Sequence, residues 1–207
     1  MKKHLPFLIG FVILLLAFVF FSYLVHKDLF IQFDFDTTVK LQDNISRQLD
    51  TPFSYLSLVG SFEIASGFLL LLLIIFKKLK GIFVLFFFIF LHLPELFGKM
   101  YVNHPGPPYM FFRYDIDFLF PSSYVQPGSS YPSGHAARAV FISIVFAFLI
   151  HKTKLSKYQK YLVYGLILAF DLAMLISRVY LAEHWSSDVI GGIFLGASFA
   201  VLSLLFL

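Results

Sequence analysis

Long hydrocarbon-like runs alternate with short polar breaks along this 207-residue chain. Runs over about 5–25, 55–76, 81–98, 134–150, 161–177 and 188–207 each come close to the roughly 20 apolar residues a helix needs to cross a bilayer core. The first follows Lys2 and Lys3, is longer than the apolar core of a signal peptide and shows no small-x-small cleavage pattern before His26, so it reads as a retained helix. Pro94 is expected to kink or break the end of the third run. Residues 27–52 differ in character: the segment is net acidic, and Val39, Leu41, Ile45 and Leu49 recur at partial helical spacing. That pattern predicts a short amphipathic helix lying along the membrane surface. The fold class expected is all-α, one domain over 1–207, a six-transmembrane-helix bundle with a short interfacial amphipathic helix after the first span.

Composition sharpens this picture. Only 14% of residues are charged, against about 25% in ordinary soluble domains, which points to an integral membrane protein with no room for a separate soluble domain. The absence of cysteine excludes a disulfide framework, a Cys-based zinc site and a thiol nucleophile. A net charge of +4 would suit nucleic acid if the cations formed one patch, but they fall in short clusters between apolar runs, so no nucleic-acid partner is expected. Those clusters are Lys2/Lys3, Lys77/Lys78/Lys80 and Lys152/Lys154/Lys157/Lys160, the distribution of cytoplasmic loops. Both termini are then cytoplasmic, and 27–52, 99–132 and 177–188 lie on the outer side. The long 99–132 connection, with Pro105, Pro107, Pro108, Pro121 and Pro127, is of a length that more often serves function than idles.

The same topology brings two polar clusters together at the outer face. One is Ser177 to Asp188, between the fifth and sixth runs; the other is Tyr131-Pro132-Ser133-Gly134-His135, before the fourth. Charged side chains beside hydrocarbon are costly unless paired or hydrated, which marks such clusters as functional candidates. Helical i,i+4 spacing puts His184 and Asp188 on one face, where the carboxylate accepts from one imidazole nitrogen and leaves the other as a nucleophile or base. Arg178 would fall on a different face of a continuous helix, so a turn must bring it in, as a bidentate donor suited to phosphate oxygens. Gly134, preceded by Pro132 and Ser133, opens a helix whose N–H groups bind anions, Ser133 adds a hydroxyl, and His135 is placed to act as a general acid. With Lys99 these make a phosphate-transfer site that needs no metal. Zinc on His104, His135, His184 and Asp188 is the alternative, and the positive charges of Arg178 and Lys99 argue against it. Glu63 reads either as an interfacial carboxylate or as a contact of the site, and Asp171, deep in the fifth run, as protonated or partnered across the bundle.

Pro132-Ser133-Gly134-His135 followed by Ser177-Arg178-x5-His184-x3-Asp188 resembles the second and third signature motifs of the type 2 phosphatidic acid phosphatase (PAP2) superfamily, and the six-helix plan extends the resemblance over nearly the whole chain. It implies that His184 attacks phosphorus to give a phosphohistidine, that Asp188 orients it and that His135 protonates the leaving group. Lys99, Ser133, Gly134 and Arg178 would hold the phosphoryl oxygens, and no cofactor is implied. The first motif departs from the family: Gly106 stands where Lys-x6-Arg-Pro would put its arginine after Lys99, and Arg138, or else Arg113, is the expected stand-in. The implied activity is hydrolysis of a lipid phosphate or diphosphate at the extracytoplasmic face of a bacterial cell membrane. A polyprenyl diphosphate such as undecaprenyl diphosphate, phosphatidylglycerol phosphate and phosphatidate are the implied substrates. Phosphotransfer to a second lipid, or binding of phosphate without turnover, are the alternatives.

Overall fold

The computed structural model describes residues 4–78, 80–121 and 129–207; Lys2, Lys3 and Pro127, used above, lie outside them. Among the described residues all regular structure is helical. The helices are α1 Leu5–His26, α2 Ile31–Asn44, α3 Asp50–Val59, α4 Phe62–Ile75, α5 Gly81–Phe90, α6 His92–Tyr101, α7 Gly134–His151, α8 Lys157–Tyr180 and α9 Ser186–Ser203. Among the described residues, five stretches are long and apolar enough to cross a membrane: α1, α5 with α6, α7, α8, and α9 with its short extension to Phe206. A sixth follows if Arg47–Val59 and Phe62–Ile75 are counted as one.

That pair departs from the straight span expected over 55–76, because its halves meet at 59°. Gly60 closes α3, and Ser61 starts α4 by accepting the Ile64 N–H on its hydroxyl at 3.5 Å. The Gly60 carbonyl freed by the break takes the Arg138 Nε–H at 2.9 Å, which satisfies a backbone group that hydrocarbon would not. Proline acts as expected in the next span. Pro94 has no N–H to offer the carbonyl of Phe90, and α5 stops at that residue. α8 starts earlier than its hydropathy suggests, because Ser156 and Gln159 cap each other's backbone at 3.3 and 2.9 Å.

Small residues let α7 and α9 approach closely. A Cβ on Gly192 would strike the Ser133 carbonyl oxygen, and one on Gly196 the backbone of Ala137. Lipid supplies no hydrophobic drive between helices, so close backbone packing of this kind is what holds a membrane bundle. α1 runs antiparallel along α9, with Phe11 beside Phe199 and Phe21 beside Phe194, and it leaves Ile13, Leu16 and Phe20 exposed. Asp171 in α8 has the partner it requires, since Ser143 of α7 donates to its carboxylate at 2.7 Å.

α2 is amphipathic in an inverted sense. Asp34 and Thr38 are buried against the bundle, whereas Ile31, Phe33 and Phe35 are exposed. Its Gln42 amide donates to the carbonyls of Phe111 and Tyr180 at 2.7 and 2.8 Å, the latter at the end of α8. The chain thus has two unlike ends. One holds Lys78, whose Nζ donates to the Leu207 carbonyl at 3.4 Å, and Lys160, which donates to the His151 carbonyl at 2.8 Å. The other collects the first turns of α7 and α9, the last turn of α8, and α2.

Gly196→Val should lower stability by about 1–3 kcal/mol through overpacking. Gly165→Ala, with nothing within 4 Å of its added methyl, should not. Thermal unfolding of both variants in one detergent checks the pair.

Candidate active site

The turn between α8 and α9 places the first pair of chemical groups. After Tyr180 the chain reverses at Ala182, whose φ of 55° is left-handed, and the amides of Glu183 and His184 return to the Arg178 carbonyl at 3.1 and 3.2 Å. α9 then begins under its own cap: the Asp188 carboxylate accepts the Trp185 N–H at 2.8 Å through Oδ2. The same oxygen lies 3.4 Å from Nδ1 of His184. A hydrogen on Nδ1 facing that carboxylate leaves the lone pair on Nε2.

The second cluster is tied to the first by its backbone. Ser133 donates its N–H to the Asp188 carbonyl at 2.9 Å, while its hydroxyl accepts the Ala136 N–H at 3.4 Å and caps α7. His135 follows in the first turn of α7, within electrostatic reach of Arg178, Arg138, His184 and Lys99. Lys99, in the last turn of α6, directs Nζ at the Ser130 carbonyl 3.4 Å away. A Cβ at Gly134 would press on the Glu95 carboxylate and on Nη1 of Arg138, so both side chains would have to shift to admit it.

Both arginines of the cluster carry counterions. Arg178 is fully buried, and its Nη1 donates to Glu183 and, at 2.5 Å, to Ser57, while Nε and Nη2 donate to Ser177 Oγ at 3.2 and 2.9 Å. Arg138 stands 3.9 Å from Glu95 and within electrostatic reach of Glu63. Arg113 is placed differently. Its guanidinium lies over the Tyr180 ring at 5.0 Å and its N–H donates to the Leu181 carbonyl at 3.1 Å. Of the two stand-ins for the arginine missing at Gly106, Arg138 is the one at the N-terminus of α7.

The residues singled out in the sequence, His184, Asp188, His135, Ser133, Gly134, Lys99, Arg178 and Arg138, thus gather at one end of the bundle. Sequence reasoning passed over Glu95, Glu183, Ser57 and Asp34. A carboxylate inside or next to an apolar run is itself a signal, and on that ground Glu95 and Glu183 were findable. Ser57 and Asp34 carry no such mark.

The sequence profile of the PAP2 superfamily matches residues 69–207, well over half of the chain. The chain belongs to the PAP2 superfamily. Phosphatidylglycerophosphatase B of Bacillus subtilis (strain 168) is 45% identical over 71 residues, which is 32% of this chain and 34% of that relative, so the match spans about a third of the relative's length. A transmembrane PAP2-type phosphatidylglycerolphosphate phosphatase from Bacillus subtilis superposes with a TM-score of 0.73 at 24% identity, over 95% of both chains. LpxE of Aquifex aeolicus follows with a TM-score of 0.61 at 21% identity, over 84% of this chain and 96% of that one. These likenesses establish the fold of this PAP2 protein as that of an integral membrane bundle.

Removing one member of a buried ion pair strands the other. Arg178→Met should therefore cost about 3 kcal/mol, and adding Glu183→Gln should recover part of that loss. Unfolding midpoints of the two single variants and the double variant measure the coupling.

Proposed function

We propose that this PAP2 protein is a metal-independent lipid phosphate or diphosphate phosphatase acting at the outer face of the membrane. The observation that carries the reading is the meeting of the His184–Asp188 pair with the N-terminus of α7 through the Ser133–Asp188 backbone bond. A nucleophile and an anion-binding helix end are thereby held side by side.

In the first step the Nε2 lone pair of His184 attacks phosphorus, the bond to the lipid oxygen breaks, and His135 gives that oxygen a proton. Positive charge growing on the His184 ring is balanced by Asp188 through Nδ1–H. In the second step water attacks the phosphohistidine, His135 takes the proton of the water, and His184 leaves as the free imidazole. Lys99, Arg138, Arg178, Ser133 and the Gly134 amide hold the phosphoryl oxygens, whose charge develops among fixed donors. Binding at the two arginines puts substrate oxygens in competition with Glu95 and Glu183.

Sidedness rests on charge. Lys78 and Lys160 sit at the end of the bundle opposite His135 and His184, and such cations favour the cytoplasm. Two relatives are named for phosphatidylglycerol phosphate, which supports that lipid as the first substrate to test, with polyprenyl diphosphates and phosphatidate beside it.

His184→Ala should reduce phosphate release by at least about 10⁴-fold while leaving the protein folded in detergent. The assay uses phosphatidylglycerol phosphate, a polyprenyl diphosphate and phosphatidate at matched detergent ratios, with chelator present. Turnover by the variant within tenfold of the parent sinks the nucleophile, loss of parent activity on chelation sinks metal independence, and phosphate recovered on a second lipid reassigns the reaction as transfer.

A further inference from the structure

Asp34 and His104 lie outside both motifs, yet both are buried, at 1% and 7% exposure, against the Asp188 carboxylate. Asp34 reaches in from α2 and accepts two hydrogen bonds from Ser187, at 2.7 Å from its N–H and 2.6 Å from its hydroxyl. His104 comes from the connection after α6. Its Nε2 stands 3.4 Å from Ser187 Oγ, 3.6 Å from Asp34 Oδ2 and 3.9 Å from Asp188 Oδ1. Ser187 already donates its hydroxyl hydrogen to Asp34, so all three atoms present lone pairs, and Nε2 must carry the hydrogen.

Two further observations give this arrangement a purpose. Asp188 Oδ1 is buried with no hydrogen-bond partner among the described residues, while its Oδ2 serves Trp185 and faces His184. A buried acceptor left without a donor costs about 1–3 kcal/mol, and His104 Nε2 lies 3.9 Å from this one. His104 is also anchored: its N–H donates to Ser129 Oγ at 3.3 Å, and its carbonyl accepts from the Ser130 N–H at 3.0 Å and from both serine hydroxyls at 3.1 Å. The ring is therefore aimed by its backbone and does not merely fill space. No three His, Asp or Glu side chains among the described residues converge as metal ligands, so the trio is not arranged as a metal site.

We propose that His104 and Asp34 are positioning residues for the reaction, the outer links of a chain running Asp34, His104, Asp188, His184. The inference rests on His184 as nucleophile. Burial raises the pKa of Asp34, and the two hydrogen bonds from Ser187 lower it and hold the carboxylate as an acceptor. His104 Nε2 stands between the two carboxylates, 3.6 Å from Asp34 and 3.9 Å from Asp188, and fixes the orientation in which Asp188 Oδ2 faces Nδ1 of His184. α2 thereby belongs to the active site.

The test compares His104→Gln, which keeps an N–H near the position of Nε2, with His104→Leu, which fills similar volume without one. Phosphate release from phosphatidylglycerol phosphate is measured on the full chain at a temperature where both variants remain folded, with His184→Ala alongside. His104→Leu should lower kcat about 10–100-fold, as loss of a polar group that orients a reacting side chain does, with KM changed less than about twofold. His104→Gln should recover most of that loss, and adding His104→Leu to Asp188→Asn should cost little more than Asp188→Asn alone. Equal kcat in the Gln and Leu variants, with His184→Ala inactive, overturns this inference and leaves the phosphohistidine reading standing. An active His184→Ala removes both.

Discussion

A backbone hydrogen bond, Ser133 N–H to the Asp188 carbonyl at 2.9 Å, ties the two polar clusters of this molecule to each other. It joins the first turn of α7 to the first turn of α9, so two helix N-termini open onto one place. It forms because Gly192 and Gly196 let α9 lie against α7 with almost no side chain between them. Loosen that contact and the histidine of one motif no longer faces the histidine of the other. The small-residue stripe is thus a condition of the site as well as of the fold.

Concentrating charge at the end of a membrane bundle raises a second constraint. Isolated guanidinium groups with the burial of Arg138 and Arg178 would be prohibitively costly, and each is neutralised by a carboxylate brought by a different element, Glu95 of α6 and Glu183 of the α8–α9 turn. The break at Gly60 belongs to the same solution. A continuous helix there would hold its carbonyl in the ladder, whereas the bend offers that carbonyl to Arg138 and brings Gly60 against His135. Irregular backbone in an apolar setting is tolerated where protein satisfies it, and here the partner is a site residue.

α2 shows how far a surface helix can be from its amphipathic reading. Its buried residues are the polar Asp34 and Thr38, with Asp34 and Gln42 bonded to helix ends, while Ile31, Phe33 and Phe35 are exposed. Apolar surface facing outward carries no penalty beside lipid. Polar surface facing inward is favourable where backbone groups at helix termini would otherwise be unpaired.

The hydropathy of the chain determined that it is helical and crosses a membrane, and the PSGH and SR-x5-H-x3-D patterns picked out the histidines, aspartate and arginine of the candidate site, because period and motif spacing are local properties. Pro94 announced its break for the same reason. Tertiary structure alone decided that the Gly60 carbonyl meets Arg138, that Glu95 stands against Arg138, and that Asp34 and Ser57 reach Ser187 and Arg178. Each of those is a pairing between residues far apart in sequence, chosen by which buried charge or helix end lacks a partner. No window along the chain contains that information. An Asp34 on a helix of mixed polarity looks like any solvated acid until the folded bundle sets Ser187 in front of it.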